Sequence, residues 1–293
     1  MFPTFYENGA LMLHSWGLMV TLAFVAAFLV VHLRAPKVGV DPDQLVPMYL
    51  LLAAAGMVGA RLLHFVFAEP ELFFSNPMVF FDTNHGGWAF YGGAIGGTVS
   101  GALYARWRRL PTWKLADVMA PTIMLGYAIG RIGCFLAGCC HGGVCERPVT
   151  GELLALPAGE VLLVEGWPFL ALRFTPGVGV GALRGEVLFP SQLVEVTTGL
   201  VLFGLLSWAW RRWRRFDGQI LAMLLVAYAA ARASAEQFRG DTVRGMHELG
   251  PLTLSTSQMV SIGVVALAVV ITAARARSGV APEEPFVAPE PEL

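Results

Sequence analysis

The stretch "GRIGCFLAGCCHGG" (130–143) places Arg131, three of the chain's four cysteines and His141 within fourteen residues of otherwise apolar or small sequence. A charge at membrane depth costs several kcal/mol unless it is paired or hydrated, so each such residue is a functional candidate. Arg61, Arg232 and Glu236 are in the same position, and Asp117 and Glu195 lie near the ends of apolar runs. Arg232 and Glu236 are spaced i, i+4 and satisfy each other on one helix face. Arg61 and Arg131 have no acid within four residues on either side. They require a partner from another helix or an anionic ligand, and a guanidinium fork suits the phosphate of a lipid headgroup.

The cysteines, Cys134, Cys139, Cys140 and Cys145, follow the pattern C-x4-C-C-x4-C with His141 inside it. Zinc sites are usually built from C-x2-C pairs, and adjacent cysteines are awkward joint ligands, so no metal is expected. A disulfide joining Cys139 or Cys140 to Cys145 fits an oxidising outer compartment. Cys134 alone reads as a small buried apolar residue.

The elements that hold these groups are membrane helices. The chain has 293 residues, 56% hydrophobic and 14% charged, against about 25% charged in ordinary soluble domains. A net charge of −1 gives no electrostatic case for nucleic acid. A bilayer core requires about 20 apolar residues per helix. Seven spans are predicted, at 11–33, 47–68, 88–106, 115–137, 190–210, 218–238 and 253–274. The first lacks a basic leader and is too long for a signal-peptide core, so it is expected to be retained.

Basic residues lie in alternate loops: Arg34 and Lys37; Arg106, Arg108, Arg109 and Lys114; Arg211, Arg212, Arg214 and Arg215; Arg275 and Arg277. Segment 69–87 has none. By the positive-inside rule the N-terminus is outside and the C-terminus cytoplasmic. The fold class expected is therefore an all-α polytopic membrane protein with about seven transmembrane helices. One domain covers 1–278, with a small extracytoplasmic cap of short strands at 141–189, and 279–293 is a disordered cytoplasmic tail rich in Pro and Glu. In the third span, Gly92, Gly96 and Ser100 form one stripe and Ala89, Gly93, Gly97 and Gly101 the next, a spacing that lets helix backbones approach closely. For Gly86–Gly93, packing and a ligand-facing backbone both remain open.

Seven stretches in this order resemble the prolipoprotein diacylglyceryl transferase family: "LHSWGLM" (13–19), "GARLLHFVF" (59–67), "GGWAFYGGAIGG" (86–97), "LADVMAP" (115–121), "GYAIGRIGCFLAGCCHGG" (126–143), "PSQLVE" (190–195) and "EQFRGD" (236–241). The resemblance implies a multi-pass enzyme of the bacterial plasma (inner) membrane. It implies transfer of diacylglyceryl from phosphatidylglycerol to the lipobox cysteine of prolipoproteins, with the signal-peptide region as acceptor and no cofactor. It makes Arg131 and Arg239 catalytic cations. Arg61, Trp16, Gly92, Gly93, Gln192 and Glu195 become contacts for the lipid.

The chain also departs from the pattern. The family's histidine before the second Gly-Gly is Tyr91 here, the asparagine after the signature arginine is Cys134, and the following acid is Cys139. Trp16 stands where the first motif usually has tyrosine. A phenol ordinarily titrates near pH 10 and donates hydrogen bonds at neutral pH rather than accepting protons. Tyr91 is thus expected to orient the headgroup, with His85, His141 or solvent taking the thiol's proton. A divergent paralogue fits these departures as well. So do a related transferase acting on another lipid or acceptor, a thiol carrier or redox enzyme, and a phospholipid-binding protein that lost its base.

Overall fold

The computed structural model describes residues 4–8, 11–82, 87–157, 159–166, 169–174, 185–236, 246–249, 252–277 and 279. In chain order the elements are β1 (Thr4–Asn8), β2 (Leu11–His14), α1 (Ser15–Arg34), α2 (Leu45–Ala68), α3 (Pro70–Ser75), α4 (Phe90–Trp107) and α5 (Thr112–Ala137), then β3 (Val149–Leu156), β4 (Gly159–Val164), β5 (Leu170–Phe174) and β6 (Val187–Leu188), and finally α6 (Ser191–Arg212), α7 (Gln219–Glu236), β7 (Met246–Leu249), β8 (Leu252–Ser255) and α8 (Thr256–Arg275).

Among the described residues, five helices are long and apolar enough to cross a membrane: Ser15–Val38, Pro42–Ala68, Thr112–Ala137, Ser191–Arg212 and Thr256–Arg275. The other two predicted spans coincide with α4 and α7, which fall outside that group. Glycine dilutes the hydropathy of α4, and the apolar run of α7 is shorter. Leu29, Leu33, Leu50, Phe67, Val269 and Val270 are exposed. Apolar surface on this scale is stable against lipid and not against water. Two expected helix starts move. Residues 11–14 form β2, paired antiparallel with β1, and α8 begins only after the β7–β8 hairpin. A capping box fixes that start: the Ser255 hydroxyl accepts from Gln258 N at 3.2 Å, and the Gln258 side chain accepts from Ser255 N at 3.0 Å.

The chain divides into two compact units, one of residues 1–31 with 116–281 and one of residues 32–115 with 282–293. In the second unit α2 and α4 meet through their glycines. A Cβ added at Gly92 would overlap the Gly59 carbonyl oxygen, and one at Gly96 the Ala55 carbonyl oxygen. The predicted stripe Gly92–Gly96 is therefore the seam of this pair. Gly93 lies beside it, 3.4 Å from the Gly56 oxygen on the same measure. The α4 entry is tied to α2 by Ala89 N donating to Ala60 O at 3.1 Å.

In the first unit α5 is flanked by α1 and α6. A Cβ added at Gly133 would meet Met19 Cβ at 2.9 Å and Trp16 Cα at 3.4 Å; one added at Gly199 of α6 would meet Ala128 Cβ at 2.9 Å and Met124 O at 3.0 Å. The segment expected to hold short strands forms a four-stranded antiparallel sheet, order β3-β4-β5-β6. Val161, Leu172, Phe174 and Leu188 make one buried cluster of this sheet, and Phe135 of α5 and Leu193 of α6 pack against it. The sheet thus fixes the end of α5 and the start of α6, the two places where polar groups gather.

Candidate functional site

Helix α5 ends in a glycine cap. Gly138 adopts φ +74°, its N–H donates to Phe135 O at 3.3 Å, and Cys139 N donates to Cys134 O at 3.0 Å. These two bonds are the Schellman pair, which brings the side chains three residues before and two after the cap residue together. Here those side chains are Cys134 and Cys139. Cys140 is itself left-handed, at φ +58°. The turn is clamped from α6: Ser191 Oγ donates to Cys140 O at 2.9 Å and Gln192 Nε2 to Cys139 O at 2.8 Å. The sulfurs of Cys134, Cys139 and Cys140 all lie within 4.8 Å of one another.

All four cysteines are thiols, so the expected disulfide to Cys145 is not formed. Cys145 packs against Leu162, Val164 and Ala171 of the sheet, while Cys139 and Cys140 turn toward Cys134. Hydrogen bonding to Cys134 and Cys140, reinforced by burial, pushes the Cys139 thiol pKa up. Cys140 is left-handed at this turn, and both adjacent cysteines approach Cys134.

One turn back on α5, Arg131 receives the helix-borne partner its isolation required. Its Nε forms an ion pair with Glu195 Oε2 of α6. Tyr127, four residues earlier on the same face, donates to that same oxygen at 2.7 Å, and the Arg131 guanidinium lies 5.1 Å from the Tyr127 ring centroid. Tyr228 of α7 abuts Tyr127 edge-on, centroids 6.1 Å apart. Glu195 is 3% exposed, so this cluster is desolvated and its attraction is barely screened. Among the described residues only the Nε edge of Arg131 is engaged, and the Nη1/Nη2 edge is not. Tyr127 was missed in the sequence, although its i, i+4 spacing to Arg131 carried the signal.

His141 Nδ1 lies 3.0 Å from Gly142 O. A carbonyl only accepts, so Nδ1 carries the proton in that bond and Nε2 is the basic nitrogen. Its ring packs on Phe174 at 5.7 Å. Trp16 sits where α1 meets α5 at Gly133. Asp117 of α5, a second buried carboxylate beside Glu195 of α6, accepts from Gly218 N at 2.8 Å and Leu221 N at 3.0 Å. It caps the first turn of α7, a structural use for a charge that its depth alone had marked as functional.

The second unit holds the remaining candidates. Arg61 of α2 is 4% exposed and donates to the backbone oxygens of Val79 and Phe80 at 3.2 and 3.3 Å, to that of Asp82, and to Gly87 O at 3.3 Å. Phe65 and Trp88 flank its guanidinium. Tyr91, the second residue of α4, is exposed, with its ring edge-on to Phe90 at 5.8 Å. Its hydroxyl has no partner among the described residues. Gly92 is buried in the helix seam. The structure therefore groups Arg131, Glu195, Gln192, Trp16 and His141 in one unit and Arg61, Tyr91, Gly92 and Gly93 in the other. His85, Arg239 and the side chain of Glu236 lie outside the described residues, so the expected Arg232–Glu236 pair does too.

Five apolar helices with an ionised cluster built between two of them define a multi-pass membrane protein. The chain belongs to the prolipoprotein diacylglyceryl transferase family, whose model matches residues 3–274. It is similar to the phosphatidylglycerol–prolipoprotein diacylglyceryl transferase of Chromobacterium violaceum, 34% identical over 241 residues, 81% of this chain and 83% of that one. The Clostridium tetani protein of the same name is 27% identical over 271 residues, 92% of this chain and 96% of that one. That of Synechococcus elongatus is 29% identical over 273 residues, 91% and 85%.

Proposed function

We propose that this chain transfers the diacylglyceryl group of phosphatidylglycerol to the lipobox cysteine of prolipoproteins in a bacterial plasma membrane. The acceptor's thiolate sulfur attacks a glycerol carbon. A C–S bond forms, the C–O bond to phosphate breaks, and glycerol phosphate leaves with the electron pair. The observation that carries this reading is Arg131. Glu195 holds it by Nε, and its terminal nitrogens make no hydrogen bond among the described residues, which leaves a two-pronged donor of the geometry a phosphate accepts. As the leaving phosphate gains charge, donors already in place strengthen without reorganising. Arg239 supplies a second cation on the strength of its motif. His141 is the base, its Nε2 free to take the thiol proton once Nδ1 is tied to Gly142 O. Tyr91 orients the headgroup through its hydroxyl.

The basic loops support seven crossings with the N-terminus outside and the C-terminus cytoplasmic, the two further crossings being α4 and α7. Residues 141–189 then form an extracytoplasmic cap. The decisive experiment supplies the purified chain with phosphatidylglycerol vesicles and a lipobox peptide, and follows the peptide's mass gain. Cys134 and Cys139, standing where the family has polar residues, favour a second reading with another lipid or acceptor. Transfer from a different phospholipid, with none from phosphatidylglycerol, would select it.

A further inference from the structure

The two cysteines that replace family polar residues, Cys134 and Cys139, are the two that the glycine cap of α5 brings together, and Cys140 completes a triangle. We infer that this triangle is a binding site for a thiophilic d10 cation of the zinc(II) or copper(I) class, held by Cys134, Cys139 and Cys140.

Three features build the site. The first is spacing. Metal–sulfur bonds of about 2.3 Å require ligand sulfurs about 4 Å apart in a trigonal site. The three sulfurs already lie within 4.8 Å of one another, so the contraction is under about 1 Å. The second is preorganisation. The Gly138 cap and the left-handed Cys140 set the side-chain directions. Ser191 and Gln192 hold the carbonyls of Cys140 and Cys139, so the backbone does not reorder on binding. The third is ligand softness. Three sulfurs with no carboxylate in the group select soft cations over magnesium or calcium. Cys134 is buried, whereas Cys139 and Cys140 are partly exposed, which leaves an entry path. Binding forms three metal–sulfur bonds and releases the thiol protons to solvent. Cys145 belongs to the sheet and serves as an internal control.

The test uses the full chain in detergent, reduced and under anaerobic conditions, titrated with cadmium(II) as the probe. Thiolate-to-cadmium charge-transfer absorption should saturate at one ion per chain with three sulfurs engaged. Cys134→Ser should weaken binding at least ten-fold, and Cys145→Ser should leave it unchanged. Because Cys134→Ser perturbs a buried position, alkylation of the unmutated protein is read alongside by mass spectrometry. Cadmium should protect Cys134, Cys139 and Cys140 and leave Cys145 as reactive as before. Absence of the absorption band, or protection that does not separate the trio from Cys145, overturns the site. Neither readout depends on transferase activity.

Discussion

Glu195 of α6 holds Arg131 of α5 by its Nε edge, and Tyr127 completes the coordination of the same carboxylate oxygen. The Nε edge of the guanidinium is thereby fixed in place, while its terminal nitrogens make no hydrogen bond among the described residues. Arg131→Ala should abolish transfer with the protein still present in the membrane, and Arg131→Lys should recover little, because an ammonium has no fork. Glu195→Ala leaves a buried cation uncompensated and should destabilise by about 3–5 kcal/mol. Thermal unfolding in detergent and peptide transfer assays separate the two effects. Full activity of Arg131→Ala would remove the arginine from the mechanism.

Tyr91 and His141 test the division between orienting and deprotonating. Tyr91→Phe should slow transfer by about ten-fold, the worth of one hydrogen bond to a charged group. Tyr91→His should be tolerated. His141→Gln removes the basic Nε2 and should lower the rate of transfer while lipid binding is retained. An undiminished rate in His141→Gln assigns the proton elsewhere.

The α2–α4 seam predicts a sharp contrast among glycines. Gly92→Ala forces a methyl into the Gly59 carbonyl and should destabilise by about 1–3 kcal/mol or more. Gly97→Ala, where the nearest atom is Leu52 O at 3.8 Å, should be nearly neutral. Equal melting temperatures for the two variants would contradict the seam.

Asp117 caps α7 from α5, so Asp117→Ala should destabilise by about 1–2 kcal/mol. The lipid affinity of whatever protein remains folded should not change. A selective loss of lipid affinity at undiminished stability would contradict the capping role.

Orientation is tested at Ser75, exposed at the end of α3. A cysteine placed there, in a chain otherwise free of cysteine, should react with a membrane-impermeant maleimide added from outside. Reaction only after permeabilisation would invert the topology.

The helices and the buried charge of Arg131 were readable in the sequence, because hydropathy and a lone charge in an apolar run leave strong local marks. The partner of Arg131 was not. Glu195 lies 64 residues further on, and no local pattern joins the two. The cysteine cluster was hidden for another reason. Spacing in sequence does not show it, because the glycine at 138, one before Cys139, forms a helix cap that folds Cys134 and Cys139 together. Arg61 looked like Arg131 in sequence, yet its donors serve backbone carbonyls. Only three-dimensional structure distinguishes an arginine that organises a loop from one paired with a carboxylate of a neighbouring helix.

The glycine seam also restricts motion. A slip of α4 along α2 by one turn, about 5.4 Å, would bring Ser100 to the slot beside Ala55 that Gly96 occupies. That carries a Cβ into space that admits only hydrogen. The pair is therefore indexed like a key in a keyway. It can tilt or travel as one body, but it cannot ratchet, and any gating within this unit falls to the segments that join its helices.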